Sequence, residues 1–170
     1  MSTKIYRFVD DVDKAAELGT PGDLVEIGCG LGDVGVHLLN VCVKHDRTLI
    51  GIDPFEDCWD DPGIDPTYTK PYPKERCKAV GHSHFLLHQY RSQDESCKEI
   101  LNRPLLFAHV DGNQSTSEIV LNDIRLVQHA HLIAVDDHDR LQTVKDAVKA
   151  FLAESGREIV KNYERWVLIR

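Results

Sequence analysis

The sequence predicts a doubly wound α/β domain with a mostly parallel, seven-stranded sheet and a C-terminal antiparallel hairpin. Three observations predict it. Short apolar runs alternate with amphipathic stretches from Asp23 to Leu152, the order that gives parallel strands joined by right-handed crossovers. The carboxyl ends of those runs carry Glu26 to Gly32, Asp53, Arg91 and Ser92, Asp111, and Asp136 to His138, so polar groups gather on one edge. The length, 170 residues, fits one domain over 1–170 and leaves little room for a second.

Ile5 to Leu18 reads as a helix with Phe8, Val12, Ala15 and Leu18 on one stripe, stopped by Thr20-Pro21-Gly22. Asp23 to Ile27 reads as a buried strand, followed by the glycine-rich stretch 28–32 and a helix from about Val34 to Lys44. Thr48 to Ile52 is the second strand and ends at Asp53. The stretch 54–80 is rich in proline and carries Trp59, Tyr68 and Tyr72. A loop this long is a lid or binding loop, or else disordered. Its aromatic residues either stack on a ligand or pin the loop to the body. Phe85 to Tyr90 is the third strand, Asp94 to Leu101 a helix, and Leu105 to Val110 the fourth strand, ending at Asp111-Gly112. Ser115-Thr116-Ser117-Glu118 has the capping-box pattern and opens a helix to about Val127. His131 to Val135 is the fifth strand. Leu141 to Leu152 is a helix with Val144, Val148, Phe151 and Leu152 on one face, ended by Ser155-Gly156. Glu158 to Lys161 and Arg165 to Ile169 form the closing hairpin.

The formal net charge is −8, and no local basic patch offsets it, so nucleic acid is a disfavoured partner. The cysteines Cys29, Cys42, Cys58, Cys77 and Cys97 are odd in number and include no CxxC pair. They read as free thiols of a reducing compartment. No apolar run approaches the ~20 residues that span a bilayer, and Met1 to Asp13 does not read as a signal peptide. The expectation is a soluble, cytoplasmic chain with a small-molecule substrate and no membrane partner.

The stretch Val25-Glu26-Ile27-Gly28-Cys29-Gly30-Leu31-Gly32 lies between a strand and a helix. Glycines there let the backbone bend tightly and come close to a ligand, and the helix start offers free N–H groups. Asp53 closes the next strand about 20 residues on, where a carboxylate can accept both hydroxyls of a ribose. Two ligands suit this device. NAD uses GxGxxG, and Gly30 to Gly35 matches it, but Asp33 would stand beside the pyrophosphate. S-adenosylmethionine uses an acid followed by GxGxG, which Glu26 to Gly32 matches. A purely structural turn is the bland alternative. Cys29 falls inside the bend, its side chain read as a small packing group.

These segments resemble class I S-adenosylmethionine-dependent methyltransferases: Val25 to Gly32 looks like their first motif and Leu49-Ile50-Gly51-Ile52-Asp53 like their second. The resemblance runs from about Ile5 to Arg170 and implies a Rossmann-like fold. It places Glu26, Gly28, Cys29, Gly30, Gly32, Asp53, Ser92, Gln93 and Asp111 at the cofactor, with Ser92 and Gln93 near the adenine. His109 to Ser115 and Leu132 to Asp137 resemble a narrower group, the small metal-dependent O-methyltransferases of the macrocin and aminocoumarin sugar type. That likeness implies Mg²⁺ on Asp111, Asp136 and Asp137.

The acids have their own reading. Three carboxylates converging on one edge repel unless protonated or bridged by a cation, and oxygen ligands select hard ions such as Mg²⁺. Such an ion would take substrate hydroxyls and lower the pKa of one. Alternatively the acids are strand-end turn residues. The narrower group carries an acid where this chain has Asn113, and an amide cannot act as a base. His138 or the metal then takes over activation, with Asp111 beside it, or catalysis is lost and a cofactor-binding regulatory protein remains. His82, His84 and His88 match no zinc spacing. A homodimer is compatible with the sequence.

Overall fold

A computed structural model describes residues 6–30, 32–54 and 82–170. The segment 55–81, with Trp59, Tyr68 and Tyr72, lies outside the described residues, as do Leu31, Cys58 and Cys77. The lid reading of the long loop falls there.

The described chain runs α1 (Phe8–Glu17), β1 (Asp23–Ile27), α2 (Asp33–His45), β2 (Leu49–Ile52), a 3-10 turn (His82–His84), β3 (Phe85–His88), α3 (Glu95–Leu101), β4 (Leu105–Val110), α4 (Ser117–Leu126), β5 (Leu132–Val135), α5 (Gln142–Ser155), β6 (Ile159–Asn162) and β7 (Val167–Ile169). The strands form one seven-stranded sheet in the order β3-β2-β1-β4-β5-β7-β6. β1 to β5 pair in parallel, and β7 pairs antiparallel with both β5 and β6. The order reverses between β1 and β4, and a doubly wound sheet opens its ligand crevice at such a switch point.

β1, β2, β4 and β5 are buried on both faces because helices cover both. On one face Val25, Ile27, Ile50, Ala108 and Ile133 pack with residues of α3, α4 and α5, among them Leu101, Ile124 and Phe151. On the other, Leu24, Leu49, Phe107 and Ala134 pack with Phe8 and Val12 of α1 and Leu38 and Cys42 of α2. Glu26 and His109 sit on this second face in parallel register and are both buried.

Element bounds moved where capping and packing decide them. Leu18 does not join the buried stripe of α1; it lies past the helix end and is 77% exposed, and Ala16 takes its place. Thr116, not Ser115, caps α4, accepting from the Ile119 N–H at 3.3 Å. β3 stops at His88, short of Tyr90, because its pairing with β2 ends at Ile52. α5 continues to Ser155 before Gly156 closes it at φ +69°.

Candidate active site at the switch point

The bend after β1 is fixed from both sides. Gly28 donates its N–H to Ile52 O at 2.9 Å, and the Asp111 N–H donates to Ile27 O at 2.9 Å, tying the ends of β1, β2 and β4 together. Gly28 stands at φ +83°, and a Cβ on it would lie 2.0 Å from Asp111 O. Gly30 is different: it lies at φ +46° and a Cβ there would meet open space. Its N–H donates to Asp53 Oδ2 at 2.9 Å, so the carboxylate closing β2 faces the exposed part of the bend. Gly32, at φ +74°, begins α2 with no side-chain cap.

Other residues expected at the cofactor are placed less directly. Glu26 is 2% exposed. One carboxylate oxygen lies where a Cβ on Gly35 would meet it at 2.7 Å, and the other lies 3.6 Å from His109 Nδ1. Burial raises its pKa, with His109 pulling the other way. Cys29 is buried, its sulfur packed against Gly51, so only its backbone is available to a ligand. Ser92 Oγ donates to Asp123 Oδ1 at 2.5 Å and Gln93 Nε2 donates to the same oxygen at 3.3 Å. Asp123 in turn abuts Gly112, which lies against Gly28. The Ser92–Gln93 turn therefore reaches the bend through Asp123, beside a depression of about 720 Å³ between α3 and α4. That depression does not contain Gly30 or Asp53.

The acids after β4 and β5 gather as expected, around a different partner. Asp136 is 2% exposed. Its Oδ1 accepts from Arg165 Nε at 2.5 Å and from the Asp137 N–H at 2.6 Å. The same Arg165 Nε lies 3.1 Å from Asp137 Oδ1. Asp137 itself sits at φ +53°. Asp111 accepts from Gln114 Nε2 at 3.2 Å. Burial and then the neighbouring Asp136 push its carboxyl well above the usual carboxylate range. Among the described residues, the side chains close enough to share a cation here are His109, Asp111 and Asp136, whose ligand atoms lie within 4.8 Å of one another. Asp137 is not part of that group, and its carboxylate turns to Arg165. Of the expected trio, Asp111 and Asp136 lie in that group, while Asp137 lies outside it with Arg165 Nε against it.

His138 donates its N–H to Arg165 O at 3.1 Å, which sets it on the same edge. It is half-buried, and burial lowers its imidazole below the ordinary value. Asn113 is exposed and accepts from the Ser115 N–H at 2.9 Å, so its amide shapes its own turn. His84 Nδ1 lies 2.8 Å from Arg47 O, and His88 stacks on Tyr90.

Sequence reasoning missed His109, Asp123 and Arg165. Asp123 carried a signal, since it interrupts the apolar face that Val120, Ile124 and Val127 give α4. Arg165 carried none; it enters the site only because the hairpin folds back.

No family model matches the sequence, and no curated protein matches it. The structure does match solved ones. With CalS11, a TDP-rhamnose 3'-O-methyltransferase of calicheamicin biosynthesis, the TM-score is 0.71 at 14% identity, covering 96% of this chain and 77% of that one. This chain shares its Rossmann-like fold with that enzyme. The O-methyltransferase NovP matches with a TM-score of 0.66 at 18% identity, covering 95% and 78%. The O-methyltransferase TomG from Streptomyces achromogenes, solved in complex with S-adenosylmethionine, matches with 0.60 at 15% identity, covering 96% and 78%. Gly28, Gly30 and Asp53 meet beyond the carboxyl ends of β1 and β2, with β4 on the other side of β1.

Proposed function

We propose that the chain is an S-adenosylmethionine-dependent methyltransferase that acts on a hydroxyl of a small molecule. One observation carries this reading: an open, left-handed Gly30 whose N–H faces the Asp53 carboxylate at 2.9 Å. A ribose entering there can replace the Gly30 N–H as donor to Asp53 with its two hydroxyls. The likeness to O-methyltransferases supports the reaction class.

S-adenosylmethionine would supply an electrophilic methyl group. The acceptor hydroxyl would take that group. The hydroxyl proton needs a base. Burial and the neighbouring Asp136 raise the Asp111 carboxyl, which suits it to keeping a proton and not to taking one; His138, lowered by burial, is the group left to accept it. Asp111 can instead donate a hydrogen bond to the acceptor. No described helix is long and apolar enough to cross a membrane.

A second reading is a cofactor-binding protein without catalysis, and the engagement of Asn113 in its own turn favours it. An NAD enzyme is the weakest of the three, since Asp33 stands exposed in the first turn of α2.

Calorimetry with S-adenosylmethionine tests the binding half. Asp53→Ala is expected to weaken binding at least ~10-fold, the loss of about one charged hydrogen bond. NADH binding in its place would end the proposal. Methyl transfer from labelled cofactor across a panel of hydroxylated acceptors separates enzyme from binder, and His138→Ala is expected to lower its rate by ~10²-fold or more.

A further inference from the structure

We infer that Arg165 is the resident cation of the acceptor edge and keeps divalent metal ions out of it. The inference rests on the methyltransferase reading only for what the edge is used for.

The geometry is that of a cation already in place. Arg165 Nε donates to Asp136 Oδ1 at 2.5 Å and lies 3.1 Å from Asp137 Oδ1 without hydrogen bonding to it, so its charge stands against two carboxylates from consecutive residues. Asp136 is nearly without solvent contact, so its charge must be met by protein or by an ion. Its Oδ1 also accepts the Asp137 N–H at 2.6 Å, which leaves that oxygen no free direction toward a metal. An ion on the same carboxylates would stand beside the guanidinium, and like charges at that range repel.

Arg165 is held there from several sides. Its carbonyl accepts the His138 N–H at 3.1 Å. Its guanidinium lies 5.9 Å from the centre of the Trp166 ring. The turn that carries it is closed by the Tyr163 N–H donating to Trp166 O at 2.8 Å. The turn is anchored to α1 where Lys161 and the Tyr163 hydroxyl both bond Asp11. The neighbouring ligand-type group, His109, is fully buried, and neither ring nitrogen has a hydrogen-bond partner among the described residues. His109, Asp111 and Asp136 lie close enough to share an ion, and Arg165 is the charge that competes with one there. A metal site is thus latent in the edge, and Arg165 stands in for its charge.

Mn²⁺ titration followed by electron paramagnetic resonance tests this on the intact chain without any cofactor. The wild type is expected to show no site tighter than about 1 mM. Arg165→Met is expected to gain one at least ~10-fold tighter, and Arg165→Met with Asp136→Asn to lose it again. Arg165→Gln serves if the Met variant does not fold. Wild-type Mn²⁺ binding that Asp136→Asn abolishes overturns the inference. So does the absence of any gained site in both Arg165 variants. Calorimetry with S-adenosylmethionine on the same samples reports separately on the methyltransferase reading, which fails if the cofactor does not bind whatever Mn²⁺ does.

Discussion

A Cβ built on Gly28 would stand 2.0 Å from Asp111 O, whereas one built on Gly30 would touch nothing within 4 Å. Both residues have positive φ, yet only the first is squeezed against backbone that cannot move aside. Gly28→Ala is therefore expected to cost more than about 3 kcal/mol, because β4 must separate from the bend. Gly30→Ala is expected to cost only about 1 kcal/mol, the left-handed penalty of an ordinary residue, while its new methyl group obstructs the ligand side. Urea denaturation and cofactor calorimetry together check the pair. Equal stability losses would show that the two glycines do not play the separate parts assigned to them. The spacing of these glycines was legible in sequence; which one faces backbone and which faces solvent was not, because that depends on the end of β4.

α1 holds its end of the site through one ring. Phe8 is fully buried. It stacks on Phe107 at 5.5 Å and on His109 at 5.4 Å, with its edge contact to Trp166 at 5.6 Å. It thereby covers the Glu26–His109 pair and joins α1 to β4 and β7. Phe8→Ala is expected to lower unfolding stability by about 3–5 kcal/mol, as a large ring leaves a cavity in a packed layer. A loss under about 1 kcal/mol would mean that α1 is peripheral to the core. The apolar period of α1 marked Phe8 and Val12 as buried but overextended the stripe to Leu18, since periodicity continues past a helix end and the Leu18 C-cap does not. The hairpin followed the same pattern: both strands were legible, and their role of carrying Arg165 to the far side of β5 was not.

Stability of the whole molecule should depend on pH through Asp123. Burial pushes its carboxyl up to about 6, opposed by the hydrogen bonds from Ser92 and Gln93, against an ordinary 3.8. A raised carboxyl pKa means that the native state keeps a proton the unfolded chain has released. The stability it contributes is full below about 3.8 and is lost as pH rises through about 6. Unfolding free energy is therefore expected to fall from pH 4 to pH 6, by an amount on the order of 1–3 kcal/mol from this group. Asp123→Asn keeps the acceptor oxygen for Ser92 and Gln93 and removes the titration. Denaturation curves at several pH values should then be flatter for the variant in that window. Identical slopes in the two proteins would remove Asp123 as the cause.

The sequence by itself determined the α/β alternation, the seven strands, the bend after Ile27 and the acids that end β2, β4 and β5. Each of these is written in local periodicity, in glycine spacing or in the residue that follows an apolar run. Only the tertiary structure decided which polar groups answer one another. Glu26 meets His109 because β1 and β4 lie in register, Asp123 meets Ser92 because α4 packs beside the β3 end, and Asp136 meets Arg165 because the hairpin returns. Those partners come from elements far apart in the chain, and the fall of electrostatic energy with distance makes their identity a property of the packed fold.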